Sequence, residues 1–245
     1  MKKNSREIAI KLTNVTKRYT IHHEKPTFSE KLLKRSQKQI FTALNDIDLT
    51  IYKGEKVGII GSNGAGKTTL LKLITGVTAP NVGTVVTQGK IVSLLDLGAG
   101  FHPDLTGVEN IYLNGLIVGM SQKEIKEKFD NIVQFADIGT FIDAPMYTYS
   151  LGMKLRVGFS IGVFADPDIL VLDEGISAGD QNFVEKSTQK IEEFFKLKKT
   201  IIVVSHWLDY LEARCNRIVW IKKGEIEESG SISVIKKYKK FQMIS

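Results

Sequence analysis

Eight residues, Gly61-Ser62-Asn63-Gly64-Ala65-Gly66-Lys67-Thr68, restrict the possible architectures of this chain more than any other stretch. An apolar run at 57–60 precedes them. Thr69-Leu70-Leu71-Lys72-Leu73-Ile74 follows, with apolar residues at helical spacing. A strand, a glycine-rich turn and a helix in that order make a phosphate cradle. Glycines let backbone N–H groups approach phosphate oxygens, and the helix N-terminus adds partial positive charge. Lys67 then reaches the β- and γ-phosphates, and the Thr68 hydroxyl can hold Mg²⁺. The competing reading is a glycine-rich turn before an ordinary helix. Chance alone produces the four fixed positions in about one chain in a hundred of this length. Nucleotide binding is therefore the first expectation.

Apolar runs elsewhere place other groups at strand ends. Residues 169–172 form a continuous apolar run, as in a central parallel strand, and end in Asp173-Glu174. Residues 200–204, Thr-Ile-Ile-Val-Val, read as another buried strand, ending in Ser205-His206. Helical patterns at 67–76, 107–118, 121–136, 157–164 and 182–196 alternate with these runs, which predicts an α/β fold with a mostly parallel sheet and helices on its faces. In such sheets ligands sit at the carboxyl ends of the strands, and Gly61, Asp173 and His206 each stand at one. Before and between the strands, residues 41–44 and 47–52 read as a pair joined through Asn45-Asp46. Residues 83–87 and 90–95 read as one hairpin, and 218–221 with 225–228 as another. Ser121-Gln122-Lys123-Glu124 is a capping box.

The chemistry follows from those positions. An aspartate ending a buried strand can bind a metal together with Thr68, and Glu174 beside it can act as base or water holder, an effect of about 10²- to 10⁴-fold. A surface acidic pair is the bland alternative, but after four buried apolar residues it is costly without a nearby cation. His206 can hydrogen-bond the γ-phosphate or the attacking water, although a lone histidine after a strand is more often structural. Tyr19 either stacks on a purine or packs at a strand end, and its position alone does not choose.

Composition bounds the setting. The 245 residues are 42% apolar and 25% charged, enough for a sizeable core. No apolar run approaches the ~18 residues needed to cross a bilayer, and no secretory signal is visible, so a cytosolic location is expected. The single cysteine, Cys215, cannot form an internal disulfide. The net charge of +7 favours an anionic partner. Lysines and arginines concentrate at 25–38 and 236–240, which are either solvated faces or contacts with an anionic membrane surface. Residues 29–35 pattern as a short amphipathic helix.

Taken together, these residues resemble the ATP-binding subunit of an ABC transporter over nearly the whole chain. Gly61 to Thr68 matches the Walker A loop, with Thr69 at its exit. Residues 169–173 match the Walker B strand, followed by Glu174, and His206 matches the switch histidine. Tyr149-Ser150-Leu151-Gly152-Met153 stands where the family has its signature, Asp180 resembles the D-loop aspartate, and Tyr19 takes the adenine-stacking position. Leu151 replaces a signature glycine, and Leu97, next to Asp96, stands where a glutamine is usual. The signature, the stretch from Leu97 to Asn110 and the Gly-Asp of the D-loop resemble polysaccharide exporters, which move teichoic acids, O-antigens and related lipid-linked glycans.

The resemblance implies an ABC-type P-loop ATPase with an N-terminal antiparallel β subdomain, an inserted helical subdomain over about 96–165, a basic insertion at 21–40 and a basic C-terminal helix at 231–245. It implies ATP and Mg²⁺ (at Thr68 and Asp173), with Glu174 and His206 as the catalytic pair. Two copies would pair head to tail, each ATP lying between one copy's Walker A loop and the other's Ser150 and Gly152. The homodimer would drive a separate membrane permease from the cytoplasmic face of the membrane, docking through the helical subdomain and the loop at 97–104, with a lipid-linked glycan as cargo and no nucleic acid partner. Nothing after Ile226 is long enough for an added carbohydrate-binding domain, which leans the expectation towards teichoic acid or a simple capsule system. An ATPase of another transporter class, or a soluble one acting on nucleic acid or ribosomes, is the alternative.

Overall fold

The computed structural model describes residues 6–22, 38–95, 97–173 and 180–244. In chain order the strands are β1 (Ile8–His22), β2 (Lys38–Tyr52), β3 (Lys56–Ile60), β4 (Val82–Thr87), β5 (Ile91–Ser93), β6 (Ile169–Leu172), β7 (Thr200–Val204), β8 (Arg217–Lys222) and β9 (Glu225–Gly230). The helices are α1 (Lys67–Ile74), α2 (Gly107–Ile117), α3 (Gln122–Ala136), α4 (Leu151–Phe164), α5 (Gln181–Lys196), α6 (Leu208–Arg214) and α7 (Ser233–Ile244). An antiparallel sheet runs β2-β1-β4. A second sheet runs β5-β6-β7-β3-β8-β9, parallel except for β9. None of the described helices is long and apolar enough to cross a membrane.

The pleat of the parallel sheet sorts its side chains into two cores. Ile59, Val171, Ile202 and Val219 point to one face and pack with Ile10, Leu12 and Leu44 of the antiparallel sheet and with Leu70 and Leu71 of α1. Leu170, Leu172, Ile201 and Ile218 point to the other and pack with the helical side, including Ile111, Val157 and Phe159. Burial on both faces is why β6 and β7 read as unbroken apolar runs rather than alternating ones. Helix α4 approaches β5 closely through two glycines one turn apart. A Cβ on Gly162 would stand 2.7 Å from the Leu94 side chain, and one on Gly158 would strike the carbonyl of Leu97.

Two sequence expectations about strands are corrected. Residues 83–87 and 90–95 do not form a hairpin, since β4 pairs with β1 and β5 pairs in parallel with β6. The link Gln88-Gly89-Lys90 crosses between the sheets, and the Lys90 N–H donates to the Asp168 carboxylate at 2.8 Å. Residues 41–44 and 47–52 are not two strands but parts of one, β2. The turn signal at Asn45-Asp46 is absorbed in a bulge where Asp46 takes a left-handed φ of 51°. Its N–H donates to Thr16 Oγ1 at 3.1 Å, and its carboxylate accepts from Asn14 at 3.1 Å. The hairpin β8–β9 and the capping box at Ser121 are as expected. A second box, Thr106 with Glu109, opens α2. The expected helix at 29–35 lies outside the described residues. Cys215 is buried, and burial pushes its thiol up to about 12.

Candidate functional site

Strands β3, β7 and β6 are neighbours, all parallel, with Ile59 opposite Val204 and Leu172 opposite Val203. Their carboxyl ends therefore fall side by side. The cleft there, about 420 Å³, is lined by the loop and first turn from Asn63 to Thr69, by Asp173 and His206, and by Phe41 and Ala43 of β2. Sequence reasoning brought Asp173, His206 and the loop to one edge, and the fold does the same.

The loop owes its shape to its glycines. Gly61 has φ 155°, and any Cβ there would lie 2.3 Å from the Ile221 carbonyl of β8. Gly66 has a left-handed φ of 110° and sits against the Ala43 carbonyl of β2. The Gly224 N–H, from the β8–β9 turn, donates to the Ala65 carbonyl at 2.9 Å. The loop is thus gripped from both sides by backbone. Lys67 is buried, and its Nζ donates to the carbonyls of Gly61 at 2.7 Å and Ser62 at 3.2 Å.

Helix α1 begins without a side-chain cap and has no acidic residue in its first turn. By contrast α2, α3, α4 and α5 are capped by Thr106, Ser121, Ser150 and Asp180. The first turn of α1, from Lys67 to Thr69, lines the cleft, the arrangement that suits an anion.

Three signature residues, Ser150, Gly152 and Met153, line a separate cleft of about 390 Å³ together with Phe141, Arg156 and Asp180 among others. Ser150 caps α4, its Oγ accepting from the Met153 N–H at 3.2 Å. Leu151 is 74% exposed, while Tyr149 is buried and donates its hydroxyl to the Phe141 carbonyl at 2.5 Å. Burial raises the Tyr149 phenol above its usual range. Asp180 caps α5 by accepting from the Phe183 N–H at 3.0 Å. Within one chain, then, the signature group and the phosphate loop are not brought together.

Other candidates divide as follows. Tyr19 is not among the residues lining the phosphate cleft. It lies across the ladder from Phe41, which does line that cleft, and the Lys17 ammonium stands 5.1 Å from the centre of the Tyr19 ring. Sequence reasoning missed Phe41. Its signal was the two-residue step to Ala43, which puts both on the strand face above the loop. Leu97 packs its backbone against Gly158 of α4. Glu174 and Asp96 lie outside the described residues.

A phosphate loop, a strand-end aspartate and a histidine around one cleft define a P-loop nucleoside triphosphatase. The ABC transporter family model matches residues 44–177, and the chain belongs to that family; it is an ATPase. It is 42% identical over 244 residues to an O-antigen export system ATP-binding protein, RfbB, of Klebsiella pneumoniae, covering 95% of this chain and 98% of that protein. It is 45% identical to the RfbB protein of Myxococcus xanthus and 41% identical to the teichoic acids export ATP-binding protein TagH of Bacillus cereus. It spans only 54% and 42% of those two relatives' lengths. Among solved structures, the ATP-binding cassette MJ0796, in a dimeric post-hydrolysis state bound to ADP and Pi, matches with a TM-score of 0.67. That match has 26% identity and covers 91% of this chain and 98% of that one.

Proposed function

We propose that this chain is the ATP-hydrolysing subunit of an exporter of lipid-linked polysaccharide, working as a head-to-tail homodimer on a separate membrane permease. The observation that carries the dimer is the separation of two clefts on one chain. One holds Lys67, Thr68, Asp173 and His206, and the other presents Ser150 and Gly152 at an exposed helix start. Each is half of a site for a triphosphate, and two copies turned against each other complete both halves. The glycan as cargo rests on kinship of near full length with an O-antigen export subunit.

Lys67, the loop N–H groups and the first turn of α1 bind and orient the phosphates. The hydroxyl of Thr68 and the carboxylate of Asp173, both lining the cleft, are hard oxygen donors suited to Mg²⁺, which when bound offsets charge on the β- and γ-phosphate oxygens. Glu174, next in sequence to Asp173, orients the attacking water and takes its proton, and His206 hydrogen-bonds the γ-phosphate. Ser150 and Gly152 of the second copy close over the same phosphate and exclude water. Closing and reopening of the pair moves the permease, with the chain at the cytoplasmic face of the membrane.

Deleting the gene in the cell of origin tests this reading. Lipid-linked glycan should accumulate inside the cell, wild-type chain should clear it, and Glu174→Gln should bind ATP yet fail to clear it. A deletion that leaves glycan export intact and impairs uptake of a small solute would replace the exporter with an importer.

A further inference from the structure

One side chain ties the signature helix to the helix after the catalytic strand. Arg156 lies six residues beyond the Ser150 cap, about 9 Å along the axis of α4 at 1.5 Å per residue. Its side chain is 18% exposed, and its guanidinium lies 5.3 Å from the centre of the Phe183 ring. It donates to the Asp137 carbonyl at 3.0 Å, lies 3.8 Å from the Asp137 carboxylate and pairs directly with the Asp180 carboxylate. Asp137 ends α3 in the left-handed conformation, and Asp180 begins α5 as its cap. A planar cation with five donors can serve three helices in this way, whereas a lysine ammonium cannot span the same fork. Arg156 also lines the cleft that holds Ser150 and Gly152.

We infer that Arg156 is a positioning residue for ATP hydrolysis. Through the Asp180 carboxylate it keeps the start of α5 in register with Ser150 and Gly152, so that both meet a nucleotide as one edge. The inference rests on the ATPase reading of the chain. A plain structural staple would work equally through Asp137 and Asp180 and would show itself in stability. A positioning residue works through Asp180 and shows itself in turnover.

The test uses the full chain with Mg-ATP and compares Arg156→Ala, Arg156→Lys, Asp180→Asn, Asp137→Asn and the Arg156→Ala/Asp180→Asn double variant. Asp180→Asn retains an oxygen able to cap α5 and removes the charge. Arg156→Ala and Asp180→Asn should each lower kcat about ten- to a hundredfold, the scale of a small misplacement of reacting groups. KM for ATP should move less than about twofold. The double variant should be no slower than the slower single one. Arg156→Lys should recover part of kcat, and Asp137→Asn, which removes only the carboxylate charge 3.8 Å from the guanidinium and suits the left-handed backbone, should stay within about twofold of wild type. A multiplicative double variant, an equal loss from Asp137→Asn, or a drop in Tm with kcat unchanged would each overturn the inference. Wild-type protein that binds ATP without turnover would overturn the ATPase reading and this inference with it.

Discussion

Phe41 and Tyr19 pose the question of which ring meets the nucleotide base. They are opposite residues on one ladder, so both rings lie on the same face of the sheet. Phe41 alone of the two reaches the phosphate cleft. Stacking on an aromatic contributes about 1–3 kcal/mol per base, so Phe41→Ala should weaken ATP binding at least about fivefold while leaving binding of inorganic tripolyphosphate, which has no base, unchanged. Isothermal titration with both ligands measures this, and equal affinities of wild type and variant for ATP would remove Phe41 from the base site. The phosphate half of the cleft was legible in the sequence because every group from Gly61 to Thr69 is local, its geometry set by a turn and one helix start. Phe41 was not legible as a contact because its place depends on β2 being a single strand, and Asn45-Asp46 carries the chemistry of a turn. The left-handed φ of Asp46, satisfied by Thr16 and Asn14, is a tertiary effect on a local signal.

Among the elements, the helical layer is stabilised by its caps. Glu124 accepts from the Ser121 N–H at 2.7 Å and from the Ser121 hydroxyl at 2.8 Å, with Lys90 nearby at 3.5 Å. These bonds, those from Ser121 first, hold the Glu124 carboxyl down at about 2. A carboxylate whose folded value lies below its unfolded one stabilises the fold above the unfolded value and loses that contribution as pH falls towards the folded one. Thermal melts between about pH 5 and pH 2 should therefore show Tm falling less steeply with pH for Glu124→Gln than for wild type. Parallel curves would mean that the box does not hold in solution. This box was readable because Ser and Glu stand three apart before an apolar run. The exchange of β4 and β5 between two sheets was not, since short strands separated by a glycine read locally as a hairpin whichever partners they find.

At the scale of the whole molecule, the two-cleft arrangement makes assembly depend on nucleotide. Glu174→Gln at saturating Mg-ATP should sediment and scatter as a dimer and return to monomer when ATP is removed, and adding Ser150→Ala should weaken that dimer. A monomer under saturating nucleotide would count against a shared site. The partition itself was expected from resemblance, but its physical reason is visible only in three dimensions, where Ser150 and Lys67 line different clefts of one chain. The bracing of the phosphate loop bears on the same point. With the Ile221 carbonyl on one side, the Ala43 carbonyl on the other and Gly224 bonded to Ala65, the cradle is already cast before any ligand arrives. A triphosphate settling into it has almost no backbone left to bend, so its binding energy has to do its mechanical work elsewhere, on the gap between two bodies rather than inside one.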